Sequence, residues 1–166
     1  MHPLPGEAGK EKKVAFSGSR IFFFAIPLVF AADRALKIFV MARFAKEGQG
    51  ISLIPDILYL TRVNNTGGAF GLFKGSRVFL VTVSLIFLLG LMPYLWRIGR
   101  RPAEKANILA WALVIGGALG NLYDRLAYGY VVDFLDLRVW PVFNLADSFV
   151  CIGVFLAAWQ NLKKNK

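Results

Sequence analysis

From Val78 to Trp96 the chain runs without one charged residue, and as a helix that stretch spans the roughly 30 Å of a bilayer's hydrocarbon core. A chain holding such a run must bury it in lipid or in a large apolar interior, and 166 residues build no interior of that size. Three other apolar runs accompany it. The first goes from Ile21 to Ala32, is broken by Asp33 and Arg34, and resumes through Ala35–Phe44. Another, Ala106–Tyr123, is apolar except for Asn107 and Asn121, and the last, about Val142–Leu162, carries Asn144 and Asp147 near its start. Hydrophobic residues make up 57% of the chain, above the roughly 45–50% of soluble domains. The expectation is an all-α integral membrane protein of one domain, 1–166. Its four transmembrane helices fall at about 20–44, 77–97, 105–126 and 142–162, with an outer loop at about 45–76.

That outer loop is long for a connector. Ile57–Val63 is β-prone and Asn64–Gly68 reads as a turn. Ala69–Phe73 is apolar and aromatic, suited to the membrane interface. A small extracytoplasmic β-rich region with an interfacial flap is expected.

The formal charge of +10 invites a nucleic-acid reading, but no basic groove interleaved with aromatics is present. The basic residues instead follow the rule that cytoplasmic loops are positive. With four spans, one side holds Lys10, Lys12, Lys13, Arg20, Arg97, Arg100, Arg101, Lys105, Lys163, Lys164 and Lys166. The other holds Arg43, Lys46, Arg62, Lys74, Arg77 and Arg138. Both termini are therefore expected in the cytoplasm, beside anionic lipid headgroups. A cleavable signal peptide ending near Val29-Phe30-Ala31 would leave an odd number of spans, and the helical pattern continues past Asp33.

Cys151 is the sole cysteine and His2 the sole histidine, the latter in a polar tail. Ser-His and Cys-His chemistry lack a base, and a histidine-ligated metal site lacks ligands. Cys151 reads as a small packing residue. What remains is a set of polar groups at the outer ends of the spans, where burial is costly and function common. Asp33 and Lys37 share a face at i, i+4, as a structural ion pair or as part of the chemistry; Arg34 is free to snorkel outward. Gly117, Asn121 and Asp124 line one face, with Gly116 and Gly117 admitting a helix or an extended substrate to the backbone. Asp124 and Arg125 end that helix, as a structural charge pair or as chemistry. Asp133 lies in an apolar stretch just past it, Asp136 reads as a solvated loop charge, and Asn144 and Asp147 share a face at i, i+3. Two carboxylates from adjacent helix ends can meet in one pocket, where both do not ionise easily.

These motifs, Asp33-x-x-x-Lys37, Asn65-Thr66-Gly67-Gly68-Ala69-Phe70, Gly117-x-x-x-Asn121-x-x-Asp124-Arg125, Val131-Val132-Asp133-Phe134 and Phe143-Asn144-x-Ala146-Asp147, resemble the lipoprotein signal peptidase (type II signal peptidase) family in order and spacing. The resemblance covers roughly Asp33 to Ile152. It implies an aspartic endopeptidase of the bacterial inner membrane, working near the outer face. Such an enzyme cuts diacylglyceryl-modified prolipoproteins before the lipidated cysteine. It implies Asp133 and Asp147 as the catalytic dyad, with Asp33, Lys37, Asn65, Gly67, Gly117, Asn121, Arg125, Asn144 and Ala146 in supporting positions. No metal or cofactor is implied; substrates and membrane lipids are the expected partners, and a monomer the expected state. The chain departs from the family pattern at Arg34 (usually Gln), Leu36 (usually Ser or Thr) and Gly68 (often Ala), which bears on contacts of the first helix.

In such a dyad one carboxylate takes a proton from water attacking the scissile carbonyl while its protonated partner serves as acid. Asn65, Asn144 or backbone N–H groups are the candidates to hold the oxyanion. A proton channel would use the same residue types, but its polar lining would cross the whole bundle, and here one span is apolar throughout. A non-catalytic assembly factor would leave Asp133 and Asp147 without a reason.

Overall fold

The computed structural model describes residues 7–99 and 105–164. Four long helices carry the chain: α1 (Glu7–Arg43), α2 (Arg77–Gly99), α3 (Lys105–Ala127) and α4 (Leu145–Lys164). Between α1 and α2 lie β1 (Gly50–Ile54), β2 (Leu58–Asn65) and a 3-10 turn at Ala69–Gly71; β3 (Val131–Asp136) follows α3. Among the described residues, 77–95 and 145–163 are long and apolar enough to cross a membrane. The other two helices have the length, but Asp33, Arg34 and Lys37 interrupt α1, and Asn121, Asp124 and Arg125 interrupt α3. All four expose large apolar side chains: Phe23 and Phe39 on α1, Ile86 and Leu89 on α2, Leu109 and Leu126 on α3, Phe155 and Leu162 on α4. A bundle apolar on its outside suits an apolar solvent.

α3 is the hub, packed against each of the other helices. Its glycines explain how closely. A Cβ on Gly117 would stand 2.5 Å from the carbonyl oxygen of Ala146 on α4, and one on Gly116 would stand 2.6 Å from Val29 on α1. The close approach foreseen for this pair is therefore made by helices. On the remaining side, Leu88, Leu91 and Leu95 of α2 pack with Ile108, Ile115 and Leu122 of α3.

The sheet is antiparallel with order β1-β2-β3. Its third strand lies outside the segment expected to hold the β region. Asn64 and Asn65, read as turn residues, instead end β2 and pair with Val132 and Val131. Successive strand residues face opposite ways. Val132 and Phe134 point down onto Val40 and Phe44 at the end of α1, so Asp133 points to the other face, the one it shares with Val63 and Asn65. Past β3 the chain doubles back, with Phe143 bridging to Leu135, and this return delivers Asn144 and the start of α4 beside Asp133.

Gly117→Ala should therefore push α3 and α4 apart, costing about 1–3 kcal/mol of stability as an overpacked contact. Gly90→Ala, on a part of α2 with nothing within 4 Å, should be neutral or slightly stabilising. Melting temperatures of the two variants in one detergent check the contrast.

Candidate active site

α4 begins with a capping box, a reciprocal pair of side-chain bonds at a helix start. The Asn144 side-chain oxygen accepts the Asp147 N–H at 2.9 Å, and the Asn144 N–H donates to the Asp147 carboxylate at 3.2 Å. Asp147 is thus held at the positive end of the helix dipole, where an anion is favoured. A third acid joins from below: Asp33 Oδ1 accepts the Ala146 N–H at 3.0 Å. Ala146 must be small, being buried between Asp33 and the glycines of α3.

Asn144 ties the two aspartates together. Its amide donates to Asp133 Oδ1 at 2.7 Å and to Asn121 Oδ1 at 3.1 Å. Asn121 in turn donates to Asp147 Oδ1 at 2.7 Å and accepts from Lys37 at 3.0 Å. Asp133 Oδ2 receives the Asn65 amide at 2.9 Å. The other Asn65 hydrogen reaches Gly68 O at 3.4 Å, and its oxygen holds the Gly67 N–H at 2.9 Å. Both hydrogens of each amide, Asn65 and Asn144, are thereby engaged; these groups orient carboxylates and hold no free donor for an oxyanion. Arg125 grips Gly67 O at 3.0 Å, fixing the turn that carries the aromatic flap. A Cβ on Gly67 would collide with the Gly71 and Leu72 backbone.

Below this level lies a buried cluster of four charges. Lys37 sits 2.9 Å from Asp33 and 2.8 Å from Asp124, and Arg34 pairs with the other oxygen of Asp124. Arg34 does not snorkel: it is buried, bonded to the Tyr128 hydroxyl and stacked over Tyr123. Asp124 pairs with α1 rather than with its neighbour Arg125, and it also accepts the Val132 N–H at 3.1 Å. Asp136 is not solvated either. It is buried on the far face of β3, accepts from Thr61 and from the Arg138 N–H, and carries Arg138 over the Tyr59 ring.

Asp133 and Asp147 open into one cleft of about 510 Å³, lined also by Asn65, Asn121, Arg125 and the aromatic pair Phe70 and Trp140. Those rings meet edge-on at 5.4 Å. Phe70 stands in the left-handed region at φ 56, a conformation costly for a bulky side chain, and it is largely exposed. Cys151 is no packing residue; it is exposed and lines the cleft one turn below Asp147. Burial, and next the charge of Asp147, lift the Asp133 carboxyl to about 7, against the pull of the Asn65 and Asn144 hydrogen bonds and of Lys37. A carboxyl so placed holds its proton well above the usual carboxylate range beside a second carboxylate, the combination general acid–base chemistry needs.

The roles of Arg34, Trp140 and Asp136 were not legible in the sequence. The Asn144-x-x-Asp147 spacing was the available signal for the helix cap.

The profile of the family described as signal peptidase (SPase) II matches residues 25–163. Among relatives, the lipoprotein signal peptidase of Pelotomaculum thermopropionicum is 44% identical over 140 residues, covering 84% of this chain and 90% of that protein. That of Syntrophomonas wolfei is 46% identical over 136 residues, covering 81% and 89%. Two solved bacterial membrane enzymes share the fold. One, at 2.3 Å, has a TM-score of 0.76 and 31% identity over 87% of this chain and 89% of that one. The other, at 1.9 Å, has a TM-score of 0.72 and 32% identity over 86% and 92%.

Asn144→Ala should lose about 1–2 kcal/mol with the cap, visible as a lower melting temperature and as faster amide exchange at residues 145–148. Asn144→Ser keeps a capping oxygen and should keep that protection while losing the tie to Asp133.

Proposed function

This chain belongs to the signal peptidase II family, and from that premise we propose that Asp133 and Asp147 are the dyad with which it removes signal peptides from prolipoproteins. It is a bacterial membrane protease of aspartic type, and its substrates are lipoprotein precursors. The observation that carries the assignment is the single amide of Asn144, which bonds Asp133 while its own side-chain oxygen and N–H cap Asp147.

In this reading Asp133 is the protonated partner, because burial and the Asp147 charge hold its proton to about pH 7. Asp147, at a helix start where negative charge is favoured, takes the proton of the attacking water. Asp133 gives its proton toward the scissile amide as the tetrahedral intermediate collapses, and the pair then resets by exchanging one proton. Asn65, Asn144 and Asn121 hold the carboxylates in register; Asp33, Lys37, Gly117 and Ala146 hold the helices that carry them, and Arg125 with Gly67 holds the flap.

All four helices cross the bilayer, with α1 and α3 hiding their charges against each other. Both termini are cytoplasmic by the distribution of Lys and Arg, and the dyad works near the outer face as a monomer. The exposed apolar flap residues Phe70, Leu72 and Phe73 touch lipid there, and a diacylglyceryl anchor on the substrate brings the scissile bond to the depth of the cleft.

Purified protein in detergent should cut a diacylglyceryl-modified precursor before the modified cysteine, and the unmodified precursor at least about tenfold more slowly, the discrimination of roughly 1.4 kcal/mol in transition-state binding. Equal rates would remove the lipid from the recognition. The sign of the pH dependence follows from Asp133. Because the acid must carry its proton, kcat/KM should hold up to neutrality and fall as pH rises through about 7; a rate still climbing at pH 8–9 would contradict the assignment.

A further inference from the structure

The cluster beneath the dyad holds two acids and two bases: Asp33 and Asp124 against Arg34 and Lys37, the base of each pair within ion-pair reach of an acid. Their sum is zero only because Arg34 is present. Two connections leave the cluster for the site. Asp124 accepts the N–H of Val132, the residue before Asp133. Lys37 donates to Asn121, whose amide bonds Asp147. Arg34 touches neither aspartate of the dyad. It occupies Asp124 Oδ1 and braces itself on the Tyr128 hydroxyl at 3.2 Å and the Tyr123 ring at 4.6 Å. Without it, among the described residues the Lys37 ammonium would be the one cation within ion-pair distance of the two buried carboxylates.

We propose that Arg34 is a positioning residue for the reaction: by neutralising Asp124 it leaves Lys37 directed at Asn121 and keeps the charge beneath the Asp133–Asp147 pair balanced. The proposal rests on the dyad assignment above. Glutamine at position 34 keeps a hydrogen-bond donor toward Asp124 and the Tyr128 hydroxyl while removing the charge. The charged groups facing Asp133 are few. Lys37 of α1, Arg125 of α3 and Asp147 of α4 act on it directly; Asp33, Arg34 and Asp124 stand behind Lys37; β2 presents the neutral Asn65, and Asp136 lies on the opposite face of β3. Changing Arg34 or Asp124 alters the charge beneath the dyad by one unit of known sign.

The readout is the alkaline limb of kcat/KM for one lipidated precursor, which a residue serving only to hold the fold would lower in height without moving. Arg34→Gln leaves one uncompensated negative charge, favours the proton on Asp133 and should move the limb to higher pH by on the order of half a unit. Arg34→Lys restores the charge and should bring the limb back. Asp124→Asn leaves one uncompensated positive charge and should move the limb the other way. In the double variant Arg34→Gln/Asp124→Asn an amide pair replaces the ion pair, the sum returns to zero, and the limb should return as well. Limbs that coincide in every variant that folds, shifts of the same sign in Arg34→Gln and Asp124→Asn, or failure of both to fold would each overturn the proposal. A wild-type protein that does not cut the lipidated precursor would instead overturn the dyad assignment, so the two failures are told apart.

Discussion

Four charges are buried between α1 and α3, and the geometry above them follows from how they are paired. In an apolar bundle an ion is tolerable only with a partner, and removing one partner of a buried pair costs about 3–5 kcal/mol. Lys37 and Arg34 on one helix thus fix where Asp124 on the other must stand, and with it the height of α3 against α1. Asp124 then sets the start of β3 through the Val132 N–H, and Asp33 sets the start of α4 through the Ala146 N–H. The two backbone segments that bear Asp133 and Asp147 are positioned from one place.

What the cluster positions, Asn144 couples. A helix start offers unpaired N–H groups and a partial positive charge, and here a capping box uses both to hold an aspartate. The same asparagine reaches across to an aspartate on a strand whose alternation turns it toward the cleft. The device costs little, because the box would stabilise α4 in any protein; the chemistry is added by placing the second carboxylate within reach of its amide. The resulting environments are unequal. Asp133 is buried in the sheet, and its carboxyl is raised to about 7, whereas Asp147 has a helix start beneath it. Unequal environments are what divide two identical side chains into an acid and a base.

Much of this was legible in the sequence for a physical reason. Membrane spans announce themselves by length and apolarity, as from Val78 to Trp96, and polar groups inside spans are too costly to be incidental, so Asp33, Lys37, Asn121, Asn144 and Asp147 stood out. Partners across space were harder to read. Nothing local distinguishes Arg34 buried on Asp124 from Arg34 reaching for headgroups, and its pairing depends on α3 standing beside α1. β3 was missed because Val131–Asp136 is short, is buried on both faces and follows a helix directly; its partner, β2, is distant in sequence. Asp136 misled for the same reason, its hydrogen-bond donor Thr61 lying on that partner strand. Cys151 reads as packing because no base stands by to activate its thiol, but its place one turn below Asp147 faces the open cleft.

The account stands on Asp133 and Asp147 acting as a unit, and a double-mutant cycle on single-turnover cleavage of one lipidated precursor tests this most directly. Asn preserves the shape of each carboxyl but can be neither base nor acid. Asp133→Asn and Asp147→Asn, folded and at matched concentration, should each lower the rate by about three orders of magnitude, and the double variant should be hardly slower than either. Losses that multiply in the double variant, or either single variant retaining a tenth of the wild-type rate, would contradict it.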